Sequence, residues 1–388
     1  MPGAGAHHRL ARGDDRPLRA AVRRARRVTP HLGYYAHHHG AGHRRRADQV
    51  LAACATPGTL LTSRPADGPS PAHAVVTLPL DVPDAPPPEV APLPPFLHHA
   101  PIGHGGLRAR TAAIASWFAS ADPALLVVDV SVEVTLLARL AGVAPVVVRQ
   151  HGDRSDPPHR AAYASAATLL AFWPPWAEDP VADAELRDRT RYVGATSRLA
   201  GRALPREEAC ARAGLDPDAH HVVVVAGFGG EGPDPAAVAA AARATRPSRW
   251  HLVGPAPTDP GRWRELTVHG VVADLAPLLS AADVVVTHAG QNAVSDAAAV
   301  GAALVVVAEP RPFGEQHHLA AALERAGVAV TAPSWPAAER WPGLLRTAAT
   351  RDRALLASYV DDGAVHAAAV LDGVVADLTR SRTSVGPR

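Results

Sequence analysis

The segment 283–301, DVVVTHAGQNAVSDAAAVG, decides the fold. Its apolar, β-branched run through Val284, Val285, Val286 and Thr287 reads as a strand buried on both faces, as in parallel sheets. The run stops at His288, Ala289 and Gly290, and an alanine-rich stretch with helical spacing starts at once. A strand that passes through glycine into a helix leaves backbone N–H groups free at the helix N-terminus, where negative charge is stabilised. Gly290 lets a ligand approach the backbone closely, and Asn292 is placed to cap the helix or to donate to a phosphate oxygen. Asp296, about one turn farther on, is placed to accept from ribose hydroxyls.

The same alternation extends in both directions. Leu32–His37, Leu125–Asp129 and Val143–Val148 read as strands in the first half, and His221–Ala226, His251–Val253, Asp283–Thr287 and Ala303–Ala308 in the second. Helix-like segments separate them, so the chain is expected to be α/β, with two Rossmann-like, doubly wound domains. Its 388 residues suit two domains of roughly 100–200 residues each. The strand pattern lapses between Gly194 and Leu215, which places the first domain at 29–200 and the second, with a terminal helix, at 201–388. Asp81–Pro95, DVPDAPPPEVAPLPP, is expected to be a surface loop, and Arg380–Arg388 a frayed tail.

Composition excludes several classes. A net charge of +2 gives no overall field toward nucleic acid. All 39 basic residues are arginine, which fits a coding bias more simply than a chemical need. Eight of them lie between Arg9 and Arg27, so residues 1–28 form a basic extension, expected either to be disordered or to contact anionic lipid. Without an apolar run near the ~18 residues needed to cross a bilayer, or a signal-peptide pattern, the expected location is cytoplasmic, with peripheral contact at the inner membrane face if that extension binds lipid. Cys54 and Cys210 have no metal-ligand spacing and read as ordinary thiols.

Two further turns and one loop share the character of the opening segment. HHHGAGHRRRA at His37–Ala47 and AGFGGEG at Ala226–Gly232 each follow a strand, and in open α/β sheets ligands collect at such strand ends. The loop after Ala308 carries Glu315 beside Gln316, a carboxylate and an amide suited to sugar hydroxyls.

From Val271 to Val330 several elements agree in order and spacing. They are Asp-Leu-x-x-Leu-Leu from Asp274, Ala-Asp before a strand, His-Ala-Gly, an acid six residues after the glycine, and Glu-Gln before a helix. This stretch resembles the C-terminal donor-binding domain of GT-B glycosyltransferases. The similar branch contains the cell-wall lipid-intermediate N-acetylglucosaminyltransferase and the UDP-sugar transferases of antibiotic and plant metabolism. The resemblance implies two Rossmann-like domains facing across a cleft. It implies His288, Gly290 and Asn292 at the donor diphosphate, with Gly229 and Gly230 of the second turn, Asp296 at the ribose, and Glu315 and Gln316 at the donor sugar. Two positions depart from the pattern: Asp296 is one methylene shorter than the usual glutamate, and Ala293 replaces a hydroxyl residue.

His38–His43 is similar to the family's first glycine-rich loop, which implies an acceptor-side base. His43 is the candidate, with His39 as the alternative, and Asp129 resembles the acid that orients such a histidine. The implied activity is inverting transfer of a hexose or N-acetylhexosamine from a nucleoside diphosphate, UDP first, to an unknown acceptor. A nucleotide-sugar epimerase and a binding protein without catalysis share the architecture. No cofactor or metal is expected: no acidic pair suited to a divalent ion stands at a strand end, and glycines 40 and 42 break the histidine cluster that would otherwise suggest zinc.

Overall fold

The structure, a computed structural model, describes residues 29–38, 42–65, 68–82, 92–227, 232–255 and 263–384. The basic extension at 1–28, His39, Gly229 and Gly230 lie outside the described residues.

Two parallel sheets form the frame. The first has the order β3-β2-β1-β4-β5-β6-β7, built from β1 (Leu32–Ala36), β2 (Gly58–Thr62), β3 (Ala74–Thr77), β4 (Leu125–Asp129), β5 (Ala144–Val148), β6 (Thr168–Ala171) and β7 (Thr190–Tyr192). The second has the order β10-β9-β8-β11-β12-β13, built from β8 (His221–Val225), β9 (Arg249–Val253), β10 (Leu266–Gly270), β11 (Val284–Thr287), β12 (Ala303–Val307) and β13 (Val330–Ala332). Helices cover both faces, which is why the central strands could be apolar at every position: β1, β4, β11 and β12 are buried throughout. This is the two-domain α/β frame expected from the strand pattern.

Strand order reverses beside β1 in the first sheet and beside β8 in the second. In register, Ala36 pairs with Asp129 and Val225 with Thr287, so the turns after β1 and β4 lie side by side, as do those after β8 and β11. Crevices at such switch points are where this fold class binds ligands.

The end of the chain differs from expectation. Instead of a single terminal helix and a tail frayed from Arg380, Arg353–Ala357 and Gly363–Ser384 form separate helices, and the second continues past Arg380 to Ser384. That last helix buries Ala367, Leu371 and Val375 with Leu32, Leu60 and Leu125, in the core of the first sheet. Its apolar stripe at four-residue spacing announces a buried face, but spacing carries no information about which sheet receives it. The chain therefore crosses between domains twice. The crossings touch where Ala195 N–H donates to Tyr359 O at 2.9 Å. Gly363 passes so near the first crossing that a Cβ there would stand 2.2 Å from the Gly194 carbonyl oxygen.

Candidate functional site

On the first sheet, the buried carboxylate of Asp129 organises the turn. It is fully buried, accepts from Tyr34 Oη at 3.3 Å and from Arg46 Nη1 at 3.2 and 3.3 Å, and lies 2.9 Å from His43 Nδ1. Burial alone would push the carboxyl up, but Arg46 and His43 outweigh it and hold Asp129 below the usual range. An ionised Asp129 fixes the proton of a neutral His43 on Nδ1, leaving the Nε2 lone pair for a proton from elsewhere. The backbone supports the arrangement at some cost. Val130, directly after Asp129, has φ +66°, a region a β-branched residue rarely enters, and Ser131 then caps the helix Val132–Leu140.

On the second sheet, His288 is engaged the other way. Its Nδ1 accepts from Gly290 N–H at 2.9 Å and from Gln316 Nε2 at 3.2 Å. Gln316 Oε1 accepts from Glu309 N–H at 2.8 Å, which fixes the orientation of the amide. With two donors on Nδ1, the ring proton must sit on Nε2. Burial lowers the His288 pKa, against a smaller upward pull from Glu309, so the ring stays neutral. Nε2 abuts Gly227, where any Cβ would stand 2.2 Å away, so only glycine lets the turn after β8 lie on this ring. The helix Gln291–Ala299 begins at Gly290 without a side-chain cap, and its first N–H groups are free of one as well.

The two turns meet. Arg46 Nη2 donates to Gln291 Oε1 at 2.7 Å, and Gly42 packs against the Asn292 amide. His43, Asp129, Arg46 and Gln291 thus form a connected chain across the cleft, and Gln291 Nε2 is buried with no partner among the described residues. Arg46 and Gln291 were not legible as site residues, because one sits in a run of arginines and the other carries no motif of its own.

The loop before the helix Glu315–Arg325 joins three regions. Phe313, at φ +61°, projects toward the first domain, where its ring meets the Arg154 guanidinium at 4.4 Å and the His159 ring at 4.9 Å. Glu315 lies 3.6 Å from Arg154, while Gln316 is buried against His288. The amide of Gln316, expected at the donor sugar, is thus spent at both ends on holding His288 and Glu309. Asp296 is also engaged: Ser197 Oγ donates to it at 2.8 Å and Arg198 Nε at 3.2 Å. Burial raises the Asp296 carboxyl despite these partners. Its contacts come from the first crossing between domains, a pairing that no local pattern could reveal.

A cavity of about 800 Å³ opens in the first domain beside these turns, with Pro312 and Phe313 of the second domain in its wall. His37 lines it, and the His37 ring centroid is 6.3 Å from that of His43. His98, Asp156 and His159, near the same wall, have potential ligand atoms within 4.8 Å of one another. Arg154 Nη1 stands 3.1 Å from His159 Nε2 and donates to it, so the ring proton sits on Nδ1 and points at Asp156. His98 Nε2 lies 3.3 Å from the same carboxylate, so the three side chains form one hydrogen-bonded cluster.

Residues 257–334 match the glycosyltransferase family 28 C-terminal domain. No curated protein matches the sequence. Among solved structures, the chain is similar to CalG4, the calicheamicin glycosyltransferase, at 18% identity and a TM-score of 0.62, covering 92% of this chain and 100% of that one. It is similar to MurG of Acinetobacter baumannii at 15% identity and a TM-score of 0.55, covering 90% and 99%. It is also similar to UGT89C1 of Arabidopsis thaliana complexed with UDP, at 16% identity and a TM-score of 0.59, covering 90% and 99%. A match to the family 28 C-terminal domain thus surrounds the His288 turn, and with both sheets in the matching arrangement the chain has the GT-B fold.

Proposed function

We propose that this protein is a glycosyltransferase that inverts the anomeric centre, using a UDP-sugar as donor and His43 as base. The observation that carries the reading is the His43–Asp129 pair at the switch point of one sheet, joined through Arg46 and Gln291 to the switch point of the other. The acceptor hydroxyl oxygen attacks the anomeric carbon from the face opposite the diphosphate. Its proton passes to His43 Nε2, the new C–O bond forms, and the bond from the anomeric carbon to the diphosphate oxygen breaks with its electron pair on the diphosphate. Asp129 stabilises the imidazolium and keeps the ring oriented.

The departing charge is met by His288 Nε2–H and by the free N–H groups at the start of the Gln291–Ala299 helix. These donors let the reaction proceed without a metal ion, and turnover is expected to survive EDTA. UDP as the nucleotide is supported by the UDP held by UGT89C1. Gly229 and Gly230 are assigned to the diphosphate, Asp296 to the ribose and Glu315 to the sugar on the resemblance alone. For Asp296 this requires Ser197 and Arg198 to give up or share the carboxylate.

The reading is tested by incubating the full chain with UDP-sugars and an acceptor panel. Acceptor-dependent UDP release and a thermal shift with UDP are expected. Neither effect with any UDP-sugar would overturn the donor assignment, and a new nucleotide-sugar formed without acceptor would indicate epimerisation. Among the described residues no helix is long and apolar enough to cross a membrane. A cytoplasmic location, with Arg9–Arg27 against anionic lipid, belongs to the proposal; cosedimentation with phosphatidylglycerol vesicles that is unchanged on deleting residues 1–28 would remove the lipid contact.

A further inference from the structure

We propose that Arg46 is a positioning residue for the base: it supplies the counter-charge that keeps the His43–Asp129 pair at a single proton, so that His43 Nε2 rests bare. The inference rests on the transferase reading for the word base, while its electrostatics stand on the contacts alone.

Arg46 follows His43 by three residues on the helix Gly42–Ala53, so the two side chains share a helix face and can meet one strand end. Its fate differs from that of a neighbour in the same arginine run. Arg44 pairs with Asp48 of its own helix at 2.8 Å, whereas Arg46 is 6% exposed and reaches across to two other segments. Its Nη1 spans both oxygens of Asp129, and its Nη2 donates to Gln291 Oε1 on the second sheet's helix. The Phe172 ring centroid lies 4.8 Å from the guanidinium carbon. Carboxylate, amide and ring, from three separate segments, fix where this cation stands. A guanidinium also keeps its charge at any pH the protein meets, which an imidazole does not.

That permanence matters because Asp129 is fully buried. Among the described residues, the cationic groups in contact with it are Arg46 and, when protonated, His43. With Arg46 in place, an ionised Asp129 and an uncharged His43 make a neutral site. Without it, a buried carboxylate would be left with the Tyr34 phenol and a neutral imidazole. An uncompensated charge there is costly, so the pair would take up one proton from water. If that proton goes to Nε2, the ring becomes an imidazolium beside Asp129. If it goes to the carboxyl, the new O–H donates to Nδ1 and the ring's own proton moves to Nε2. Both placements consume the lone pair that an acceptor hydroxyl needs. No other group nearby replaces the lost charge: burial holds Tyr34, Tyr359 and Cys54 protonated and neutral, and His37, whose ring centroid is 6.3 Å from that of His43, is an imidazole itself.

The test reads the ring directly, on the full chain with neither donor nor acceptor. Long-range ¹H–¹⁵N NMR of histidine-labelled protein at pH 7.5 reports which nitrogen is protonated, and His43 is assigned by the signals lost in His43→Gln. Wild type is expected to show Nδ1 protonated and Nε2 bare. Arg46→Met, or Arg46→Gln if the Met variant fails to fold, should protonate Nε2 in about half the molecules or more, because an opposite charge this close favours the protonated form by roughly one to three pH units. Arg46→Lys, which keeps the charge without the fork, should leave Nε2 mostly bare. A protonated Nε2 in wild type, a bare one in a folded neutral variant, or equal protonation in the Lys and neutral variants would overturn the inference. In turnover with an acceptor from the panel, the neutral variants should lose activity at pH 7.5 and recover it as pH rises; a loss equal at every pH would mark a merely structural role and overturn it as well. A thermal shift with UDP runs in parallel. No UDP response with the expected ring states would sink the transferase reading and leave the role of Arg46 in the pair standing, and a UDP response with unchanged rings would do the opposite.

Discussion

His43 and His288 both lie beyond strand ends where strand order reverses, His43 after β1 and His288 after β11, the counterpart of β4, yet Nδ1 faces opposite chemistry in the two. At His43 it meets the carboxylate of Asp129, and at His288 it meets two N–H donors, from Gly290 and Gln316. One ring offers a lone pair at Nε2 and gains a stabilising neighbour when it becomes a cation. The other offers a proton at Nε2 and would lose its hydrogen bonds on becoming one. A residue type at a switch point therefore says little about role until the partner of its second nitrogen is known.

Breaking the comparison at each corner should give opposite kinetic losses. His43→Ala is expected to lower kcat by roughly 10²–10⁴ with UDP binding retained, as removal of a general base does. His288→Ala should instead weaken UDP binding about tenfold or more, the loss of a hydrogen bond to a charged group. Steady-state kinetics with a UDP thermal shift on each variant separates the two, and equal losses in both readouts for both variants would dissolve the distinction.

Acid tests the neutral state in another way, because His151 and His251 share it with His288. Burial lowers His151 to about 4 and His251 to about 3, from an ordinary value of 6.5. Between those values and 6.5 the unfolded chain binds the extra protons. Each group's contribution is therefore intact above pH 6.5 and is lost as pH falls below it, at about 1.4 kcal/mol per pH unit. Urea midpoints measured from pH 7.5 to 5 should fall accordingly; a flat profile would show that these rings titrate freely in the fold. The smallest effect is expected for Gln291→Leu, which cuts the bridge between the corners. It should reduce kcat/KM about tenfold without unfolding the chain, the yield of one hydrogen bond to a charged group at the low end.

The central strands were legible because burial on both faces demands long β-branched runs, as in Val284–Thr287. Edge and peripheral strands were not: β7 reads Thr-Arg-Tyr and β10 Leu-Thr-Val-His-Gly, short and mixed because they are only partly covered. Within the site, His43, Asp129, His288 and Gly290 lie on turns whose glycines and strand ends mark them locally. Arg46, Gln291, Ser197 and Arg198 act through contacts between distant segments, and such pairings leave no periodic or compositional trace.

The two crossings, joined by the hydrogen bond between Ala195 and Tyr359, make the half built on the second sheet an insert in the other half's chain. Its entry and exit lie side by side, and Ser197 and Arg198, which hold Asp296, travel inside it. In terms of connectivity it is a cassette, exchangeable at one seam. A recombined chain joined at that seam would change its second-sheet module while keeping Asp129, the cavity and the terminal helix together, with the Arg46–Gln291 and Arg154–Glu315 contacts left to decide which modules are compatible.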